Sequence, residues 1–466
     1  MSTVQRIQNR IQGRTRWLCC WAALWLALAG SACAQKRAPV EATTTSEPSE
    51  APAATSPLAV ASARPVDSVT TTDGATSPSS TASARAPAFP SLLNIAVRPP
   101  DAFYDPPAEL PPTPGALLRS EPLEGVALPA GMRGWRILYT TSIDDRTPAT
   151  AVATVFASTE LPAGPRPVIT WAHGTTGLVQ ACMPSLVSVP SEGIPARDRI
   201  VQLGWVVVAT DYAFAEKGGP HPYAIGEGEA RSALDAVRAA RRMPELTLEP
   251  KTVVWGHSQG GHAALWTGSV GPRYAPDIQI LGVAAIAPTA DLQRILSMNV
   301  EVDKRLGAYV ARAYSRFYPD VTFEQALRPE ALAAAREMQN LCGFLPLDHP
   351  RRIHALATSF EGPALATSTN PALAARLAQN AANSAIAAPV VVAQGLADIV
   401  VPAPATDAYV KARCAAGQRL EYWTFEGPDH ISIVRPGTPL DEPLVAWTKA
   451  RFGGEPQAAG CARKSF

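Results

Sequence analysis

Six residues, Gly256-His257-Ser258-Gln259-Gly260-Gly261, constrain this chain more than any other stretch. The apolar run Thr252-Val253-Val254-Trp255 precedes them and reads as a short buried strand. Gly261-His262-Ala263-Ala264-Leu265-Trp266 follows and reads as the start of a helix. A serine with glycine two residues to either side, between a strand and a helix, is the pattern of a sharp nucleophile turn. The glycines have a steric purpose, because side chains at those positions would collide with the turn. The hydroxyl then projects above the sheet, and the helix aims its first amides at the same place, favouring a developing oxyanion. Taken alone, the pattern fits a glycine-rich turn with no chemistry; its strand-turn-helix setting gives it weight.

The chain around this turn divides in three. Arg6, Arg10, Arg14 and Arg16 precede an apolar run at 17–29, and Ala32-Cys33-Ala34 supplies small residues for cleavage. Residues 1–34 therefore read as a signal peptide, too short in its apolar part to span a membrane comfortably. Cys33 offers a second reading, lipoprotein processing and a lipid anchor, although Gly30 stands where a leucine is usual. Residues 35–92 are dominated by Ala, Pro, Ser and Thr and read as a disordered tether, because few large apolar side chains offset the entropy of ordering. Residues 93–466 form the folded part. Of the seven cysteines, Cys19, Cys20 and Cys33 lie in the leader region, leaving Cys182, Cys342, Cys414 and Cys461. In an oxidising compartment these allow three pairings, and their spacing fits no zinc motif. The net charge of +1 gives no electrostatic footprint for nucleic acid.

Within the folded part, runs at 136–141 and 149–157 read as an antiparallel hairpin. Apolar runs at 168–172, 206–210, 252–255, 280–287, 390–393 and 420–425 then alternate with helical segments. Continuous apolar strands alternating with helices imply a mostly parallel sheet covered on both faces. With the nucleophile turn, this is the α/β-hydrolase fold. In the helix expected over 227–243, Ala230, Ala233, Leu234, Val237 and Ala240 make an apolar stripe, with Arg231, Asp235, Arg238 and Arg242 facing water. About a hundred residues at 289–387 exceed what a crossover needs and look helical, 323–341 for example. They read as an inserted cap that shapes a substrate pocket.

If Ser258 is a nucleophile, a histidine must take its proton and a carboxylate must orient that histidine. The fold sets the chain order as serine, acid, histidine. Only His430 of the seven histidines follows the run at 390–393. Asp398 lies in the loop directly after that run and is favoured over Asp407, expected in the next helix, and Asp429, adjacent to His430. The oxyanion donors should be the amides of Gln259 and of Thr175, with Thr176 next, in the loop His173-Gly174-Thr175-Thr176-Gly177. His173 precedes the serine and reads as a buttress of that loop. His257 and His262 read as packing or pocket residues, and Asp211-Tyr212 as packing beneath the loops. This chemistry needs no metal and no organic cofactor.

Phe103-Tyr104, Ala172-His173-Gly174-Thr175-Thr176-Gly177, Cys182-Met183-Pro184-Ser185, Asp211-Tyr212, Gly256-His257-Ser258-Gln259-Gly260-Gly261-His262 and Gly395-Leu396-Ala397-Asp398 together resemble the secretory lipase family of α/β-hydrolases. The resemblance covers roughly residues 99–461. It implies a Ser-Asp-His carboxylic ester hydrolase with a helical cap, acting on esters or acylglycerols, with contact to a lipid interface as a further expectation. It also implies two disulfides, Cys182 with Cys342 and Cys414 with Cys461. A peptidase or acyltransferase on the same residues is the alternative within the enzyme class. A tethered, non-catalytic surface-binding protein is the alternative outside it.

Overall fold

Alternation of buried side chains along the central strands decides the architecture. In a computed structural model, which describes residues 95–160, 162–213 and 219–466, Val253 and Trp255 pack with Val391, Ala393 and Trp423 on one face of a sheet. Val254 lies between them in sequence and packs on the other face with Val283, Val390 and Val392. Successive strand residues point to opposite faces, so a strand covered on both sides must be apolar throughout. Full burial of each such valine or leucine contributes roughly 1.5–3 kcal/mol. Helices Arg197–Gln202 and Asp441–Phe452 cover the first face through Ile200, Leu444 and Trp447. Helices Gln259–Tyr274 and Ala403–Ala415 cover the second through Ala264, Leu265 and Tyr409, and Gly226–Ala240 extends that cover through Leu234 and Val237.

Among the described residues the strands are β1 (Leu117–Pro122), β2 (Met132–Ser142), β3 (Pro148–Ser158), β4 (Arg166–Ala172), β5 (Val206–Ala213), β6 (Leu248–His257), β7 (Gln279–Ile286), β8 (Val390–Gly395), β9 (Leu420–Phe425) and β10 (Cys461–Ser465). They form one ten-stranded sheet in the order β1-β2-β3-β5-β4-β6-β7-β8-β9-β10. The pairs β1–β2, β2–β3 and β3–β5 are antiparallel. From β5 across to β10 every neighbouring pair is parallel. This is the mostly parallel α/β-hydrolase sheet expected from the sequence, extended by an edge strand at each end.

Six helices stand between β7 and β8: Leu292–Met298, Val300–Phe317, Phe323–Ala326, Pro329–Met338, Asp348–Ala357 and Pro371–Gln379. Tyr309, Tyr314, Leu327, Met338 and Leu373 join one apolar cluster, so the insertion has a core of its own. The single helix expected over 323–341 is broken. Leu327 and Arg328 are extended, Leu327 bridges Leu365, and Pro329 opens the next helix. A proline disfavours helical backbone in the residue before it, which accounts for the break.

A second expectation is corrected in helix Gly226–Ala240. Asp235 and Arg231 do not face water; their side chains are 0% and 5% exposed. Asp235 accepts hydrogen bonds from Thr141 Oγ1, Tyr274 Oη and Arg238. Burial pushes its carboxyl up to about 6. Arg231 pairs with Asp145 and Glu227. Arg238 is half-buried against Asp235 and Asp277, and Arg242 alone of the four is exposed.

The disulfides are Cys182–Cys342 and Cys414–Cys461, the pairing that the family resemblance implies. The first fastens the stretch after β4 to the insertion, and the second fastens edge strand β10 to helix Ala403–Ala415. Cys33, the leader and the tether lie outside the described residues.

Candidate active site

Ser258 follows β6 and caps helix Gln259–Tyr274. Its backbone has φ 57° and ψ −117°, a left-handed-side conformation that side-chain-bearing residues rarely hold. Two glycines make the turn feasible. A Cβ at Gly256 would run into the Gly260 carbonyl, and one at Gly260 into the Ala172 carbonyl. The Ser258 amide donates to the Ile286 carbonyl at 2.9 Å, which fastens the turn to β7.

The chain brings three distant residues together here. His430 Nε2 lies 2.9 Å from Ser258 Oγ, and His430 Nδ1 lies 2.7 Å from Asp398 Oδ2. Asp398 follows β8 and His430 follows β9, so two neighbouring parallel strands deliver them at one end of the sheet. The amides of Val400 and Val401 each donate to Asp398 Oδ1 at 2.8 Å, and Gln394 Nε2 donates to Oδ2 at 3.2 Å. With its oxygens so occupied, the carboxylate accepts the His430 Nδ1 proton and leaves the Nε2 lone pair facing the serine hydroxyl. All three side chains are buried. Asp407 lies in helix Ala403–Ala415 and pairs with Lys411 and Arg463. Asp429 accepts the Ile431 and Ser432 amides and shapes the loop that carries His430.

His257 lines the cavity, one of its two expected readings, and also braces His430. Its Nε2–H donates to the His430 carbonyl at 2.7 Å, and its ring lies 4.7 Å from the His430 ring, centroid to centroid. Burial, and then the neighbouring His430, lower its pKa well below the ordinary value, so it stays neutral beside the imidazole it supports. Sequence reasoning missed this role because a residue beside the serine carries no spacing signal toward His430.

The expected oxyanion loop follows β4. Gln259 is the first residue of its helix, where an amide has no intrahelical acceptor. Thr175 lines the cavity over Ser258, and its Oγ1 lies 3.0 Å from Tyr223 Oη. The insertion holds this loop and the turn after it: Gly343 N–H donates to the Thr176 carbonyl at 2.8 Å, one residue from the Cys182–Cys342 bond. His173 is buried within the loop, and burial lowers its pKa to about 4. Tyr212 Oη donates to the His173 carbonyl at 2.9 Å, so Asp211-Tyr212 does lie beneath the loops.

Asp211 carries a pH-dependent cost. One carboxyl oxygen accepts the Ser185 amide at 3.3 Å, and the other is buried without a partner among the described residues. Burial raises its pKa from 3.8 to about 7. A carboxyl raised in this way favours the fold fully below the unfolded value, and that contribution is lost as pH rises through about 7. Asp211→Asn, which cannot ionise, is therefore expected to gain stability over the native chain at about pH 8 and not at about pH 4. Urea unfolding midpoints at both pH values check this; equal differences at the two would contradict it.

A cavity of about 480 Å³ opens over Ser258 and His430. Trp171, Val187 and Val434 line it from the hydrolase side, and Leu306, Phe344 and Ile353 from the insertion. Such a volume with an apolar wall and few polar groups suits an acyl chain or a comparable small apolar group. A larger cavity, about 670 Å³, lies in the insertion between Arg328 and Asn370; Ser368 and Thr369 line it, but no imidazole does. Among the described residues no cluster of side chains suits a metal ion.

Comparison with known proteins places the chain in a family and bears on its fold. The family model for secretory lipase matches residues 197–460. The chain is 25% identical over 423 residues to a secreted triacylglycerol lipase of Malassezia globosa, covering 81% of this chain and 87% of that one. It is also 25% identical over 378 residues to a probable inactive lipase of Mycobacterium tuberculosis, covering 76% and 82%. Among solved structures, Candida antarctica lipase A in its closed state superposes with a TM-score of 0.61 at 19% identity, covering 77% of this chain and 87% of that one. A cell-wall-degrading esterase of Xanthomonas oryzae superposes at 0.54 with 20% identity, covering 73% and 97%. At these identities the superpositions speak for the fold. With the family match spanning more than half of its length, the chain belongs to the secretory lipase family and is a lipase-like carboxylic ester hydrolase.

Proposed function

We propose that the protein is an exported serine hydrolase that cleaves esters through an acyl-enzyme on Ser258. The observation that carries this reading is the hydrogen-bonded series Ser258–His430–Asp398 at the floor of an apolar cavity. His430 Nε2 takes the hydroxyl proton as Ser258 Oγ attacks the ester carbonyl. Asp398 holds the imidazole tautomer and stabilises the imidazolium. The Thr175 and Gln259 amides receive the oxyanion. As the tetrahedral intermediate collapses, His430 returns its proton to the departing alcohol. Water, deprotonated by His430, then attacks the acyl-enzyme carbonyl; as the second tetrahedral intermediate collapses, the acyl–Oγ bond breaks, His430 returns the proton to Ser258 Oγ and the acid is released.

An acylglycerol or similar ester is the substrate class, supported by the family and by the apolar cavity wall. Exposed apolar side chains near the cavity favour contact with a lipid surface. Phe344 at 48% exposure lines the cavity itself, and Ile399 at 79% adjoins cavity-lining Val400. Met298 and Val300 flank Asn299, whose side chain donates to the Ile399 carbonyl. Export is favoured by the basic-apolar leader, the two disulfides and the secreted relative.

Turnover of p-nitrophenyl acetate, butyrate, octanoate and palmitate, beside aminoacyl p-nitroanilides, tests the reading. Ester cleavage should exceed amide cleavage by at least about a hundredfold, because alcohols leave far more readily than amines from a site built for His430 protonation alone. Amide cleavage above ester cleavage would move the assignment to a peptidase.

A further inference from the structure

Against the first turn of the nucleophile helix lies a buried carboxyl group that the ester-cleaving steps do not use. Glu229, in helix Gly226–Ala240, has a side chain that is 0% exposed. Burying a carboxylate is costly unless its oxygens are satisfied, and here they are. Glu229 Oε1 accepts the Ala224 amide and Gln259 Nε2, each at 2.9 Å. Oε2 lies 2.7 Å from His262 Nδ1. The other nitrogen of that ring, Nε2, donates to the Asn380 carbonyl at 2.7 Å. Each His262 nitrogen thus faces an oxygen, so a proton must sit between Nδ1 and the Glu229 carboxyl for the contact to hold.

Both of these contacts belong to the helix that begins at the nucleophile. Gln259 directly follows Ser258, and the His262 amide donates back to the Ser258 carbonyl at 3.1 Å. Asn380 closes the last helix of the insertion. Its side chain accepts the Gly226 amide at 3.1 Å and donates to Tyr318 Oη at 2.7 Å, and its carbonyl also receives Trp266 Nε1 at 3.1 Å. One buried network therefore holds the Gln259 side chain, the first turn of the nucleophile helix and the end of the insertion.

We propose that Glu229, with His262, is a positioning pair that holds Gln259 so that its backbone amide meets the oxyanion, and that anchors this turn to the insertion through Asn380. The inference rests on the reading of Gln259 as an oxyanion donor. Glu229 touches no substrate and acts through Gln259. Its effect falls on transition-state stabilisation, so kcat drops and KM stays nearly constant. Sequence spacing gives one hint of it: Glu229 lies four residues before Ala233, on the apolar face of its helix, where an acid has no reason to be without a partner.

The test is steady-state hydrolysis of a p-nitrophenyl ester by the full chain, with thermal unfolding of each variant. Gln259→Met keeps the backbone amide and the side-chain volume and loses the contact to Glu229. It is expected to lower kcat about tenfold with KM within about threefold, as a small misplacement of a transition-state donor does. Glu229→Leu is expected to lower kcat about a hundredfold. Glu229→Gln can still accept from Ala224 and Gln259 and donate to His262, so it should recover a large part of that loss. The proposal is overturned if Gln259→Met unfolds like the native chain and keeps its kcat, whether or not Glu229→Leu folds. It is also overturned if Glu229→Gln loses as much as a folded Glu229→Leu. Ser258→Ala, assayed beside them, separates the two levels: full activity there refutes the parent reading, whereas its inactivity beside an unaffected Gln259→Met refutes only this inference.

Discussion

Ser258→Ala is expected to lower kcat for ester hydrolysis by about 10⁵-fold or more and to leave the fold unchanged. The size follows from how the site is divided. In the proposed mechanism, removing Oγ removes the atom that forms the acyl-enzyme, while the proposed oxyanion donors, the cavity and His430 remain. What survives is binding and oxyanion stabilisation acting on water, which is worth far less than covalent catalysis. The fold should tolerate the change for a local reason. The strained φ of 57° is imposed by contacts of the Ser258 backbone with Ile286 and Thr289, and alanine presents the same backbone. Circular dichroism and unfolding temperature beside turnover would check both halves. Near-native turnover in a well-folded variant would remove Ser258 from the mechanism.

Asp398→Asn should lower kcat by about 10⁴-fold near neutral pH. Four hydrogen bonds converge on the Asp398 carboxylate: from His430, Gln394, Val400 and Val401. An amide presents one oxygen and one NH2 group. If its oxygen keeps the Val400 and Val401 amides, the NH2 group faces His430 Nδ1. That ring nitrogen must then accept, which moves the imidazole proton to Nε2 and points an N–H at Ser258 Oγ. In that tautomer His430 cannot take the serine proton. The loss should shrink as pH rises and hydroxide substitutes for the missing base. A variant within about tenfold of the native kcat at neutral pH would show that Asp398 does not set the tautomer.

How much of this was legible in the sequence depends on how local each cause is. The turn at Ser258 was legible because steric need writes itself as glycine at 256 and 260. His430 and Asp398 were legible through chain order, since strands of a parallel sheet deliver their following loops to one end. Edge strands β1 and β10 were not. An edge strand pairs on one side only, and β10 carries Arg463, Lys464 and Ser465 where a central strand would carry valines. What holds β10 is its pairing with β9, the Cys414–Cys461 bond and the Lys464–Glu421 ion pair, all contacts with residues distant in the chain. Asp235 was misassigned to solvent because a helical wheel counts polarity and cannot see Thr141 and Tyr274 arriving from other elements. Glu229 and His257 escaped for the same reason, since their partners lie 33 and 173 residues away.

The insertion explains why a family likeness does not by itself define the substrate. Leu306, Phe344 and Ile353 bring the insertion into the cavity wall, while Thr176 and Cys182 tie it to the stretch after β4. Substitutions in this wall should therefore alter which ester is accepted without touching Ser258, His430 or Asp398.

The proposed chemistry requires Ser258 to be an activated nucleophile. Reaction of the native chain with a fluorophosphonate probe, read by mass spectrometry of the digested protein, tests that directly. One covalent phosphonyl adduct per chain is expected, on Ser258, and none in Ser258→Ala. Absence of an adduct on the folded native chain, or an adduct on a different residue, would contradict it and favour a non-catalytic binding protein on the same fold.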